Sequence, residues 1–445
     1  MKMYQTLTSI LMLVAMFPGC RAGDPRGIVL VSADTLGADH LGAYGYGPGT
    51  SPNIDHWAGE AIVFRNAFAQ LPGTLPSHMS MMTGLTPKQH GVYPSRNVPV
   101  SLSPTIPTLA EKLQQAGYRT AGFTEGGYVA GVYGFERGFD EYNYRFRCWT
   151  DVLEAAGEYI DSLDPDEPFF LFLHTYDVHD PYSPPEADRS RFDPPPGPLS
   201  IEPKGSDLIK INRGKLAVTP EDVDQLRAMY DAEISFFDSQ FPMLLELLGR
   251  RNIAGRTMLV FTADHGEEFM EHGRLAHETI YNPAIHVPLI IDVPGWQGRR
   301  DVQAMVELTD LPATILSWAG ITAADIPGSD LLALAGAAAD PDVSFAGSES
   351  YIDPHRVVAG RIDGRRLKLV EVTAKRTGLV RRHLFDLDAD PLETNDIADL
   401  EPGLVRLLAE ELDRRKELDV LVDKPELVIY NERQRERLRA LGYLE

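Results

Sequence analysis

Four short segments hold residue types that can do chemistry. An apolar run, Gly27–Ala33, ends in Asp34 and Thr35. A second, Thr257–Ala263, ends in Asp264-His265-Gly266-Glu267-Glu268, with Glu271-His272-Gly273 and His277 after it. Thr74-Leu75-Pro76-Ser77-His78 precedes Thr83-Gly84 and His90-Gly91, and a third apolar run leads into Asp177-Val178-His179-Asp180-Pro181-Tyr182. A carboxylate and an imidazole presented together at a strand end form a hard-to-borderline metal pair, and Gly266 lets backbone come close. Taken singly, Asp264 reads as a loop cap and His265 as a surface residue. Two acids at two strand ends, with His179 at a third, favour one shared site for Asp34, Asp264 and His265. Pro76 suits a first helical turn and puts Thr74 at a helix N-terminus, where free amides and the helix dipole favour an oxyanion. Beside a metal, that hydroxyl is a candidate nucleophile. From its own segment alone, Thr74 reads first as an N-cap.

Residues so far apart need a scaffold that brings strand ends together. Apolar runs at Gly27–Ala33, Pro168–His174, Thr257–Ala263 and Val287–Val293 alternate with helical patterns at Thr108–Ala116, Asp151–Leu163, Pro220–Leu248 and Leu311–Ala319. This alternation predicts an α/β fold: a mostly parallel sheet covered by helices on both faces, with ligands bound beyond the carboxyl ends of its strands. The Pro- and Gly-rich stretch Pro184–Pro220 reads as a long surface loop over the site. A boundary falls at Ala335–Asp340. Beyond it, strand-like runs at Arg356–Ile362, Arg366–Val372 and Arg382–Leu387 and a helical stretch, Pro402–Leu418, predict a smaller C-terminal α+β subdomain. The expected division is an α/β catalytic domain over 25–335 and the subdomain over 341–445.

Composition narrows the function. Of 445 residues, 43% are hydrophobic and 24% charged, which is globular rather than disordered. Acids outnumber bases 65 to 42, a net charge of −23, which argues against a nucleic-acid partner. An anion site in such a chain needs a metal or clustered donors. Residues 1–20 read as an export signal: Lys2, a short apolar stretch from Leu7 to Phe17, then Pro18-Gly19-Cys20. The stretch is too short to span a bilayer. The other cysteine, Cys148, reads as a free, mostly buried thiol.

In their order, these motifs resemble the sulfatase family within the alkaline-phosphatase-like superfamily, from Gly27 almost to the end. The similarity rests on Asp34, Tyr44–Tyr46 and Ser51–Asn53; on Thr74–His78 with Thr83–Gly84; on Asp177–Tyr182; on Asp264–Glu267 with Glu271–Gly273; and on Leu384–Asn395 and the ending Leu-Arg-Ala-Leu-Gly-Tyr. The resemblance implies one divalent ion (Ca²⁺, Mn²⁺ or Zn²⁺) held by Asp34, Asp264 and His265 with Thr74 at the nucleophile position. It also implies that His179 contacts the ester group, and it puts His277 where many members place a lysine that binds the same group. Cys20 resembles the acylated first residue of a bacterial lipoprotein, so the expected location is periplasmic or anchored to the outer membrane, with contact to a membrane only through that lipid.

The departures bear on mechanism. Thr35 replaces the second aspartate of the family's Asp-Asp pair, and His78, a candidate catalytic residue, stands in place of the arginine that supports the formylglycine. Thr74 stands where sulfatases carry the Cys or Ser that becomes formylglycine, a conversion closed to threonine. The family's Lys-x-His pair has no counterpart in Thr120–Tyr128. A formylglycine hydrate expels sulfate by elimination, whereas a threonine ester must await water, a route open to phosphothreonine. The expected function is therefore metal-dependent hydrolysis of a sulfate or phosphate ester of a small molecule or glycan, with the chemistry inclined to phosphoesters. The alternatives are a phospho-alcohol transferase acting on envelope lipid or glycan, and a non-catalytic binding protein on the sulfatase fold.

Overall fold

The computed structural model describes residues 27–94, 99–192, 199–250, 253–322, 324–350, 354–441 and 443. Cys20 and the expected signal lie outside them. The main sheet is built from β1 (Gly27–Ala33), β2 (Ile62–Phe68), β3 (Arg119–Phe123), β4 (Glu141–Asn143), β5 (Phe169–Thr175), β6 (Thr257–Thr262), β7 (His286–Val287), β8 (Leu289–Asp292) and β9 (Arg300–Glu307). Its order is β7-β2-β8-β6-β1-β5-β3-β4, with β9 also paired to β2. Strands β1, β5 and β6 are buried along their whole length, as expected of a parallel sheet covered on both faces. The expected fold class is the one observed.

Strand β8 departs from the simple reading. It runs antiparallel to both β6 and β2. An apolar run buried on both faces carries no mark of direction. Here the chain between β6 and β8 holds a small two-stranded hairpin, one short helix and β7 rather than a crossover helix, so the chain turns back instead of returning to the same edge.

The main helices are α1 (Thr74–Thr83), α2 (Leu109–Gln115), α3 (Trp149–Ser162), α4 (Gly205–Asn212), α5 (Pro220–Gly249), α6 (Asp310–Trp318), α7 (Pro402–Leu418) and α8 (Glu432–Ala440). Capping boxes start α2 at Thr108, α5 at Thr219 and α8 at Asn431. The stretch read as a plain surface loop at 184–220 instead contains α4, an amphipathic turn that buries Leu208 and Ile211. Among the described residues no helix is long and apolar enough to cross a membrane. Cys148 is a free, half-buried thiol.

Strands β10 (Val343–Glu349), β11 (His355–Ile362), β12 (Arg365–Thr373) and β13 (Val380–Asp386) form a separate antiparallel sheet. Its two-residue alternation splits the side chains. Val357, Ala359 and Val370 pack toward Phe68, Ile280 and Ile285 of the main body, whereas Val358, Leu367 and Leu369 pack on Leu408 and Leu412 of α7. Lys368 falls on the inward face. Its Nζ lies 2.7 Å from Glu393 Oε1 with both side chains wholly buried, and Glu393 also accepts from the Asn282 amide at 2.6 Å. This buried pair fastens the C-terminal sheet to the loop that follows β6.

Candidate active site

The central strand β1 pairs with β5 on one side and β6 on the other, and Ser32 is in register with both His174 and Thr262. Three adjacent strands thus end level, so the residues just beyond them meet. One carboxylate oxygen each from Asp34 and Asp264 and a ring nitrogen of His265 lie within 4.8 Å of one another, all buried. Asp264 Oδ1 accepts the amides of Thr35 at 3.1 Å and His265 at 3.0 Å. To reach it, non-glycine Thr35 adopts φ 60, a costly conformation that Tyr230 steadies by donating to the Thr35 carbonyl at 2.6 Å. A threonine at 35 therefore contributes its amide to the site, while its hydroxyl turns back to the Asp34 carbonyl.

The donor set fits a cation. His265 Nδ1 lies 3.0 Å from the Gly266 carbonyl, which can only accept, so Nδ1 carries the hydrogen and Nε2 a lone pair. That lone pair faces Asp264 Oδ2, another acceptor, at 3.3 Å. Among the described residues neither atom has a hydrogen-bond partner. Two buried acceptors facing each other are repulsive unless a cation lies between them. Burial lowers the His265 pKa to about 3, so the ring stays neutral as a ligand must. Burial and then repulsion from Asp264 raise Asp34 well above the usual carboxylate range. Burial also opposes ionisation of Asp264, yet the surrounding imidazoles and the Thr35 amide bring it down to about 2.

Thr74 is not the N-cap that its own segment favoured. Gly73 holds that place in extended backbone, and no side chain caps the helix. Thr74 is the first helical residue, and its Oγ1 lies 3.5 Å from Asp34 Oδ1 and 3.0 Å from Tyr443 Oη. The hydroxyl is thus free of the helix and faces a cavity of about 390 Å³ shared with Gly73, His179, His277, Arg213 and Tyr443. His78 sits one turn below, with Nδ1 on the Thr74 carbonyl at 2.8 Å and Nε2 on Ser32 Oγ at 2.9 Å. It is fully buried, and burial lowers its pKa. A neutral ring engaged at both nitrogens positions the first turn of α1 and brings no charge to the cavity.

His179 and His277 also line the cavity, with ring centroids 5.8 Å apart. Glu267 faces His277, 3.6 Å from its Nδ1. Burial opposes a charge on His277, but Glu267 and the other nearby acids outweigh it and raise the pKa. His90 is buried and accepts the Val92 amide at 3.0 Å, which holds the turn between them.

Two residues escape the sequence reading. His174, the last residue of the run Pro168–His174, has its Nε2 3.2 Å from Asp34 Oδ2, and its Nδ1 has no partner among the described residues. Its place at a strand end is the signal that could have singled it out. Tyr443, 369 positions from Thr74, has no local signal of function beyond its motif.

Acids and imidazoles at three level strand ends, with a free hydroxyl over them, define a hydrolase of ester bonds. The chain belongs to the sulfatase family: the sulfatase family profile matches residues 26–321, and that of the N-sulphoglucosamine sulphohydrolase C-terminal region matches 270–417. The family is metal-dependent, in keeping with the donor set around Asp264. Arylsulfatase K of Rattus norvegicus is 25% identical over 450 residues, spanning 86% of this chain and 77% of that protein. N-sulphoglucosamine sulphohydrolase of Homo sapiens is 28% identical over 325 residues, 68% of this chain and 62% of that protein. Among solved structures, the phosphonate monoester hydrolase of Agrobacterium radiobacter shares the fold with TM-score 0.69 at 20% identity, over 89% of this chain and 96% of that one.

Proposed function

We propose that this protein hydrolyses phosphate esters through Thr74, rather than sulfate esters through formylglycine. The observation that carries the reading is the Thr74 hydroxyl itself, relieved of capping and turned into the cavity beside Asp34. Asp34, Asp264 and His265 would hold one divalent ion of the Ca²⁺, Mn²⁺ or Zn²⁺ kind, whose charge would lower the pKa of a nearby hydroxyl and draw in the ester anion. Thr74 Oγ1 attacks phosphorus and loses its proton to solvent, the P–O bond to the leaving alcohol breaks, the alcohol departs with a proton from solvent, and water then hydrolyses the phosphothreonine. His78 fixes the turn that aims it. His179 and His277 contact the ester oxygens, and Glu267 keeps a proton on His277. A neutral His78 and the few cations on the cavity wall suit a group with one negative charge. A phosphate diester and a sulfate monoester both meet that condition. The choice between them rests on the second step, since water can release phosphate from threonine whereas elimination from formylglycine is closed to it. A relative named as an iduronate 2-sulfatase favours a glycan alcohol as the leaving group. We also propose export, with acylation at Cys20.

The test is a panel of sulfate monoesters, phosphate monoesters and phosphate diesters offered to metal-reconstituted protein. Turnover of phosphoesters in preference to sulfate esters is expected. Efficient cleavage of a sulfate monoester by the native chain would overturn the reading. A mass for the mature protein without a lipid on Cys20 would sink the acylation.

A further inference from the structure

Helix α8 buries Leu438 in the main core, and the chain leaving it brings Leu441 and Tyr443 to the carboxyl edge of the main sheet. The Tyr443 ring lies against Tyr128 with centroids 4.2 Å apart. Its Oη is 3.0 Å from Thr74 Oγ1 and 3.0 Å from His179 Nε2. The donors in this chain can be assigned. His179 Nδ1 is 2.5 Å from the Asp180 carbonyl, an acceptor only, so Nδ1 bears the hydrogen and Nε2 a lone pair. Tyr443 must then donate to Nε2, and its oxygen accepts from Thr74. The phenol therefore bridges the candidate nucleophile and the candidate ester-contacting histidine.

It does so without filling the site. Thr74, His179, His277 and Tyr443 all line the one cavity of about 390 Å³, so an ester has room with the phenol in place. Any ester poised on Thr74 has its reacting atom about 3–3.5 Å from that hydroxyl, and its oxygens then fall close to the position of Oη. Among the described residues on this wall, the guanidinium is that of Arg213, and the imidazoles are those of His179 and His277. A phenol, neutral at physiological pH, adds a donor there without adding charge.

We propose that Tyr443 is a catalytic residue of the ester site, its hydroxyl turning from His179 to donate to an ester oxygen as the substrate seats on Thr74. Tyr443, beyond α8, is then part of the active site. This inference rests on Thr74 being the nucleophile, so its test uses one measure that needs no turnover. Tyr443→Phe keeps the ring against Tyr128 and removes only the hydroxyl. In the full chain loaded with Mn²⁺, it should lower kcat on the best ester of the panel by about 10- to 100-fold, with a smaller change in KM. Its affinity for inorganic phosphate, read by calorimetry, should fall about tenfold, and the unfolding temperature should fall by no more than about 4 °C, the loss of two hydrogen bonds. If the native protein turns over no ester, the nucleophile reading has failed, and the phosphate titration alone decides Tyr443. Equal phosphate affinity and equal turnover would make Tyr443 a packing residue. Faster turnover or tighter phosphate in the variant would make it an obstruction over Thr74. Either result overturns the proposal, as does a native protein that neither binds phosphate nor turns over an ester.

Discussion

Replacing Thr74 by Ala separates a nucleophile from a structural hydroxyl, because the two roles differ by orders of magnitude here. The side chain is 3% exposed. It caps no helix amide, and its near hydrogen-bond partner is Tyr443 at 3.0 Å. Losing one such bond costs about 1 kcal/mol, and alanine returns up to about 0.5 kcal/mol of helix propensity at that position. The net loss of stability should be about 0.5–1 kcal/mol, and α1 should persist because Gly73 and the His78–Thr74 carbonyl bond are untouched. Loss of a nucleophile, by contrast, lowers kcat by at least about a thousandfold. At 1.36 kcal/mol per decade that is more than about 4 kcal/mol of barrier. Urea unfolding followed by circular dichroism reads the first quantity, and steady-state kcat on the best ester reads the second. Thr74→Ser, which keeps the hydroxyl, should stay within about tenfold of native. A Thr74→Ala protein that is folded and keeps more than a tenth of native kcat would refute the covalent route.

Other outcomes follow from the same geometry. Mn²⁺ or Ca²⁺ at a hundred times its Kd should stabilise the native protein by about 2.7 kcal/mol, read as a raised Tm. Asp264→Asn should abolish the shift, and an unchanged shift would remove Asp264 from the site. Burial raises Glu233 to about 8 from 4.5, despite the Ser183 amide at 2.5 Å. The folded state therefore keeps a proton that the unfolded chain releases, and stability falls as pH rises between those values by up to about 1.4 kcal/mol per unit. Glu233→Gln should flatten that slope in urea titrations across the window, and an unchanged slope would refute the buried neutral carboxyl. Lys368→Met strands the Glu393 carboxylate and should cost about 3–5 kcal/mol. Adding Glu393→Gln should recover part of that loss, and equal stabilities of the single and double variants would refute the buried pair. Thr74→Cys, co-expressed with a formylglycine-converting enzyme, should still fail on aryl sulfates, because the buried, neutral His78 brings no charge to the leaving group. Strong sulfatase activity in a variant converted by mass spectrometry would contradict this.

The sequence alone placed the acids. An apolar run that ends in Asp34, and another that ends in Asp264-His265, can be read because burial on both faces leaves a continuous hydrophobic signature and the polar break marks the strand end. The mostly parallel α/β class, the ends of the long helices and the two-residue alternation of the C-terminal sheet follow from the same periodicities. What the periodicities leave open is contact across the chain. The run before Asp292 looks the same in either direction, so the antiparallel β8 emerges only once the loop after β6 has folded. A threonine before Leu-Pro-Ser-His serves equally well as a cap or as a nucleophile. The packed structure gives the cap position to Gly73 and sets Asp34 and Tyr443 against the hydroxyl. His174 and Tyr443 join the site because β5 lies in register with β1 and because α8 returns the chain to the sheet edge. Local sequence codes neither event, since each depends on the closing of long loops, and that is set by the burial of the whole core.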